Sequence, residues 1–406
     1  MKIVYLYQYF NTPTMPGGSR AYEAATRLAA RGHEVHVVTS IRDSTGGTGW
    51  YLTEERGVNV HWYPVPYAND MNLFARLRAF AAFAVRAMPR SISLAPDLVF
   101  ATSTPLTIAI PGMAASRWHA VPLVFEVRDL WPAVPIAMGA LRNPFSRGAA
   151  LALEWLAYHA SARVIALSPG MAQGVARRGY PAHRITVIPN GCDLERFDPS
   201  TAAADAFRAA HPELGSGPIV LYAGTLGKAN GVDYLVRLAA ETRDRLPGAR
   251  FVIIGQGAEE GAVRALADEL GVLDRELFMY PRMAKQDVAA AFAAASVVTS
   301  VFIDLPELEV NSANKFFDGL AAGRPVAVNH GGWQADLLTA HGAGLRLERD
   351  VAQAAHTLVA WLSDTDRLDA GGRSARRLAE ERFARDDLAE QLERVLREAY
   401  AGRERT

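Results

Sequence analysis

Short apolar runs alternate along the chain with longer stretches whose apolar positions return every three or four residues. The short runs, bounded by Gly, Pro and Asn, read as buried strands, and the longer stretches read as helices. In the first half, strands are expected near 3–7, 34–39, 58–64, 98–101, 123–127, 164–168 and 186–189, with helices between most of them. The turn-rich segment Asn190-Gly-Cys-Asp-Leu-Glu-Arg-Phe-Asp-Pro199 precedes an Ala-rich stretch and Leu214-Gly-Ser-Gly-Pro218, where the domain linker is expected. The pattern then restarts, with strands near 219–222, 251–254, 277–280, 297–301, 326–329 and 344–347. From about residue 352 the pattern is helical, ending in a helix over 386–400. This alternation, run through twice, predicts α/β domains with parallel sheets. The expected domains are 1–198 and 216–383, followed by a terminal helix within 384–406.

Composition narrows the function without naming it. The 406 residues, half of them apolar, suffice for two or three domains with ample core. Lys plus Arg and Asp plus Glu both total 43, so no global charge points to nucleic acid, and any basic patch is local. Cys192 is the single cysteine, which excludes intramolecular disulfides and cysteine zinc clusters. Met1-Lys-Ile-Val-Tyr-Leu-Tyr7 opens as a strand, not as a signal peptide, and no apolar run reaches the length of a membrane span. The expected location is the cytoplasm.

The segment Val310-Asn-Ser-Ala-Asn-Lys-Phe-Phe-Asp-Gly-Leu-Ala-Ala-Gly-Arg-Pro-Val326 carries the strongest chemistry. It places Asn314 and Lys315 at a helix start, with Asp318 one turn on along the same face. Free N–H groups and the helix dipole make such a start an anion site, and Lys315 adds a full charge. A phosphate cradle followed by a carboxylate suits a nucleotide diphosphate, the acid taking the ribose hydroxyls. A solvated polar helix face is the plain alternative. In Leu221-Tyr-Ala-Gly-Thr-Leu-Gly-Lys-Ala-Asn-Gly-Val-Asp233, three glycines frame Thr225 and Lys228 in a second loop suited to a diphosphate.

Other motifs follow expected strands. Gly17-Gly18 lets a ligand approach the backbone after the first strand, Ser19 caps the next helix, and Arg20 is a secondary candidate. Glu126, Arg128 and Asp129 crowd the end of another strand, where three charges must meet one another or a ligand. Gly255-Gln-Gly257 lacks the third glycine of a dinucleotide fingerprint and reads as a turn. Arg282 follows the strand near 277–280, and Gly332 lies in the turn Asn329-His-Gly-Gly-Trp333 after another expected strand, where glycine could let a ligand approach. Asp364-Thr-Asp366 has the spacing of metal-binding acids but falls between helices, so it reads as a cap. Over 73–90 a helix is expected with Arg76, Arg86 and Arg90 around Phe83, a face suited to a membrane interface unless Phe83 is buried.

These motifs resemble retaining glycosyltransferases of family 4, which have the GT-B fold, over nearly the whole chain. Asn314-Lys315 matches the Ser/Pro-Asn/Ser-Lys form of the donor signature. Asp318 falls on its second acid and Val310 on its first, where the acid is missing. The loop at Arg128-Asp129 replaces a histidine-containing loop common in the family, and Thr225 and Asn230 replace an arginine and a lysine. Phe125-Glu-Val-Arg-Asp-Leu-Trp-Pro132, with Pro-Ile-Ala-Met-Gly-Ala-Leu141 beyond, is similar to the WbuB-type enzymes of O-antigen synthesis, assigned as N-acetyl-L-fucosamine transferases.

The resemblance implies two Rossmann-like domains, with the tail crossing back to the first. It implies a nucleotide-sugar donor bound by Gly17, Gly18, Thr225, Lys228, Arg282, Asn314, Lys315, Asp318 and Gly332, with Glu126, Arg128 and Asp129 as catalytic candidates. It also implies UDP as nucleotide, an undecaprenyl-type lipid-linked saccharide as acceptor at the anionic inner membrane face, and no metal or other cofactor. A UDP-sugar 2-epimerase on the same fold and a non-catalytic nucleotide-sugar-binding protein are the rival readings.

Overall fold

The structure is a computed structural model that describes residues 1–15, 18, 20–42, 49–67, 71, 73–197, 199 and 201–402. Its contacts form two compact units, 1–189 with 385–406, and 190–384. Each is a Rossmann-like α/β unit built on an open sheet.

The first unit contains β1 (Lys2–Leu6), β2 (Glu34–Ile41), β3 (Tyr51–Glu55), β4 (Val58–Pro64), β5 (Leu98–Thr102), β6 (Leu123–Val127), β7 (Arg163–Ala166) and β8 (Ile185–Val187). Their order is β3-β4-β2-β1-β5-β6-β7-β8, parallel except for the β3–β4 pair. Every residue of β5 and β6 is buried, as expected of strands covered on both faces. On one face, Leu388, Leu392, Val395 and Leu396 of the terminal helix Arg385–Gly402 pack with Ile3, Tyr5, Ala25 and Leu28. Arg27 to Asp386 (2.6 Å) and His33 to Glu393 (3.0 Å) tie the same helix down. A separate core on the other face joins helices Leu73–Ser93, Ala109–His119, Pro144–His159 and Pro169–Arg177 through Phe83, Ala115, Tyr158 and Val175.

Phe83 overturns the expected membrane face. It is 1% exposed, and Phe80 is also buried. Arg90 lies 2.7 Å from His61 Nδ1 and over the Trp50 ring, and Arg86 stands over Tyr63. Burial, then Arg90 and His36, push the His61 pKa down to about 4, so His61 is neutral and accepts. The helix is apolar on two sides, and the side carrying Phe74, Leu77 and Val85 faces outward.

The second unit contains β9 (Ile219–Ala223), β10 (Arg250–Ile254), β11 (Leu277–Tyr280), β12 (Val297–Ser300), β13 (Val326–Val328) and β14 (Gly344–Arg346). The order is β11-β10-β9-β12-β13-β14, parallel throughout. This unit begins at Asn190, so it takes in the whole stretch where the linker is expected. Phe197, Phe207 and Leu214 lie in its core, so the turn-rich and Ala-rich segments are packed structure.

Candidate functional site

In the second unit the strand order reverses between β9 and β12. The loops leaving these two strands part there, opening the crevice where parallel α/β sheets bind ligands. Helix Asn314–Ala321 starts beside it, and no side chain caps that start. An uncapped start offers its first N–H groups to an anion, although that of Phe316 already donates to the Ala313 carbonyl (3.1 Å).

Lys315 is 9% exposed. Its Nζ donates to Tyr222 Oη (2.9 Å) and Asn230 Oδ1 (3.1 Å) and stands 4.2 Å from the Tyr222 ring centroid. Tyr222 in turn donates to the Thr225 carbonyl (2.7 Å). None of these partners carries a formal negative charge, so among the described residues the buried ammonium is stabilised by dipoles and by the ring faces of Tyr222 and Phe302. Burial drives the Lys315 pKa down to about 7. A phosphate would supply the missing counter-charge. Gly224 makes room for the amine: a Cβ there would lie 3.0 Å from Lys315 Cε.

The turn Gly255-Gln-Gly257 braces this loop from behind. A Cβ on Gly255 would lie 1.8 Å from the Gly224 carbonyl oxygen, and one on Gly257 2.2 Å from that of Leu226. The two glycines thus serve close backbone packing, in keeping with a turn reading.

Other expected donor residues are less buried than Lys315. Thr225, Lys228, Arg282 and Asn314 are exposed, and Asp318 is half-buried. Arg282 follows β11, at the sheet edge. Gly332 has φ +81°, and a Cβ there would lie 2.6 Å from the Glu309 carbonyl oxygen, so packing alone already demands glycine. Sequence reasoning missed Glu309. It precedes Val310, the position of the missing acid, and its carboxylate accepts from Gly331 N (3.1 Å). A Gly-Gly turn needing an anionic anchor was the available signal. His330 is buried against Phe302, and burial lowers its pKa.

In the first unit the order reverses between β1 and β5. Gly17 lies outside the described residues, and Gly18 is exposed. Glu126 is buried at the end of β6, with one oxygen accepting from Arg20 Nη2 (2.7 Å) and the other from Thr102 (3.1 Å). Arg20 also donates to the carbonyls of Ile188 (3.0 Å) and Pro189. The ion-pair reading therefore holds for Glu126, and Arg20 staples β6 to the end of β8. Asp129 accepts from Thr104 (2.9 Å), and Arg128 lies over Tyr7, 5.0 Å from its centroid. Burial raises the Asp129 pKa, opposed by the Thr104 hydrogen bond and Arg128.

Two Rossmann-like units in one chain are the architecture of the GT-B class of glycosyltransferase. Residues 17–191 match the glycosyl transferase 4-like domain, and residues 217–364 match the glycosyl transferases group 1 family. The chain belongs to the glycosyltransferase family that carries these two domains, and it is a glycosyltransferase. A D-inositol 3-phosphate glycosyltransferase of Xylanimonas cellulosilytica is 30% identical over 395 residues, 92% of this chain and 89% of that protein. A GDP-mannose-dependent alpha-(1-6)-phosphatidylinositol monomannoside mannosyltransferase of Mycobacterium tuberculosis is 30% identical over 230 residues, 55% of this chain and 58% of that one. Among solved structures, sucrose-phosphate synthase from Thermosynechococcus elongatus has a TM-score of 0.80 at 19% identity, covering 99% of this chain and 100% of that one. Anabaena HepE in complex with UDP-glucose has a TM-score of 0.72 at 18% identity, covering 98% and 100%. These likenesses support the GT-B fold.

Proposed function

We propose that this glycosyltransferase moves a sugar with retention from a nucleotide diphosphate, UDP in the first instance, onto a lipid-linked saccharide at the cytoplasmic membrane face. The buried Lys315 amine, which has no acidic partner among the described residues, is the observation that carries the donor reading. Lys315, Lys228 and the N–H groups at the start of helix Asn314–Ala321 would hold the diphosphate. Asp318 would take the ribose hydroxyls, and Arg282, Thr225 and Asn314 would line the nucleotide. Gly332 would let the donor approach the backbone. In the reaction, the bond from the anomeric carbon to phosphate breaks as the acceptor oxygen bonds on the same face. The acceptor proton passes to the leaving phosphate oxygen, and stabilisation of that leaving charge lowers the barrier. Arg128 and Asp129 are the first unit's candidates for orienting the acceptor, while Glu126 positions the backbone through Arg20.

The donor sugar is proposed to be N-acetyl-L-fucosamine or another N-acetylated hexose, on the WbuB-like segment 125–141. A screen of labelled UDP- and GDP-sugars with membrane extract as acceptor tests this. Label entering lipid only from GDP-sugars would displace UDP. Metal independence is also proposed. Asp364 caps helix Thr365–Arg382 by accepting from Arg367 N (2.9 Å), which accounts for the Asp-x-Asp spacing without a metal. Turnover should persist in EDTA; its loss, with recovery on adding Mg²⁺ or Mn²⁺, would contradict the proposal.

No helix among the described residues is long and apolar enough to cross a membrane. Support for a membrane-surface role comes from adjacent helices on one face of the first unit. Exposed on them are Phe74 and Val85, Trp118, and Phe145, Trp155 and Leu156. Helices Leu73–Ser93 and Ala109–His119 contain no acid, and the only acid of Pro144–His159, Glu154, is buried and paired with Arg178 (2.8 Å). An aromatic face without exposed acid, edged by arginine, suits anionic lipid, each arginine near the surface adding about 1 kcal/mol. Wild-type protein should sediment with anionic vesicles, and Phe145→Ser/Trp155→Ser/Leu156→Ser should stay in solution. Equal sedimentation of both would remove this face from the account.

A further inference from the structure

The second unit holds a cavity at the opposite edge of its sheet from the donor residues. Pro218, Ser296 and Pro325, which precede β9, β12 and β13, lie in its wall at the amino ends of these strands. Its volume is about 770 Å³, within the span of small-ligand sites.

The wall is dominated by guanidinium groups. Arg208, Arg324, Arg373, Arg376 and Arg377 line it, against only two acids, Asp369 and Glu380. Arg376 donates to Glu380 (2.7 Å), which takes up that carboxylate. The other four make no ion pair within 4.0 Å among the described residues, in a chain whose opposite charges balance. Arg208 and Arg324 are anchored through their Nη atoms to backbone carbonyls, of Gly215 and Gly217 (2.9 and 3.1 Å) and of Ala293. Arg324 Nε is buried with no hydrogen-bond partner. Burial lowers the Arg324 pKa, Asp369 opposes this, and the Arg208 charge adds to it. Arg373 and Arg377 sit one turn apart on helix Thr365–Arg382, exposed to incoming solute. Fixed cations crowded around a concave surface attract an anion, and planar guanidinium groups match the oxygens of a phosphate.

We propose that this cavity is a second anion site, separate from the donor site, that binds a phosphate-bearing small molecule through Arg324, Arg373 and Arg377. The proposal does not depend on the donor or acceptor assigned above. It is tested by titrating the full chain calorimetrically with inorganic pyrophosphate, using wild type, Lys315→Ala and Arg373→Glu/Arg377→Glu. The exchanged arginines are exposed, and a melting curve checks that the fold is kept. Saturable binding should remain in Lys315→Ala and weaken roughly tenfold or more in the double variant, the scale of a lost charge-assisted hydrogen bond. Absence of saturable binding, loss of all binding in Lys315→Ala, or unchanged binding in the double variant would overturn it.

Discussion

Replacing Lys315 with alanine is expected to weaken UDP binding by about 1.5–3 kcal/mol, or roughly ten- to hundredfold, the scale of a charge-assisted hydrogen bond to phosphate. The loss should also change with pH. In the free protein the Lys315 pKa is lowered from 10.5 to about 7 by burial. The cost of the buried cation to folding is therefore full below about pH 7 and is relieved as pH rises from there toward 10.5, so this group makes stability rise across that window. Binding runs the other way. A diphosphate favours the ammonium form, so above about pH 7 it must draw a proton onto Lys315, and affinity falls by up to about tenfold per pH unit. Calorimetry from acid to alkaline pH, with Lys315→Ala as reference, isolates this slope from titration of UDP itself. Equal affinity and equal slopes in the two proteins would remove Lys315 from the donor site.

Arg20→Ala is expected to destabilise the first unit by about 3–5 kcal/mol, because it leaves a buried carboxylate without its cation. The Glu126 side chain is only 2% exposed, and Arg20 is its sole salt-bridge partner among the described residues. The carbonyls of Ile188 and Pro189 lose a donor at the same time. Arg20→Met combined with Glu126→Leu should recover much of the loss, since an apolar pair of similar volume carries no desolvation penalty. Urea unfolding reads both values. A midpoint for Arg20→Ala equal to that of wild type would show that the pair contributes nothing and would return Glu126 to the catalytic candidates.

The strands that hold these sites were legible because burial on both faces writes them as apolar runs. β3 was not, since it is an edge strand with Tyr51 and Leu52 exposed and polar residues after them. The helix carrying Lys315 was legible from its own segment. Its partner Tyr222 was not, because 93 residues separate them and only folding brings a buried phenol to the amine. Phe83 was misplaced for a different reason. A helix with apolar residues on two sides has a periodicity but no sign, and only the packing of Phe83 in the core chose the inner side. Glu126 and Arg128 looked alike as charges ending a strand, yet alternation along β6 turns Glu126 toward Arg20 while Arg128 lies beyond the strand's end over Tyr7.

The central claim is tested most directly by following sugar-labelled and uracil-labelled UDP-sugar with a lipid-linked saccharide acceptor. The account predicts that the sugar label enters the lipid fraction while the uracil label leaves as UDP, and that NMR of the product shows the donor's anomeric configuration preserved. Inversion at the anomeric carbon, free sugar alone, or a UDP-sugar returned with altered ring stereochemistry would contradict it.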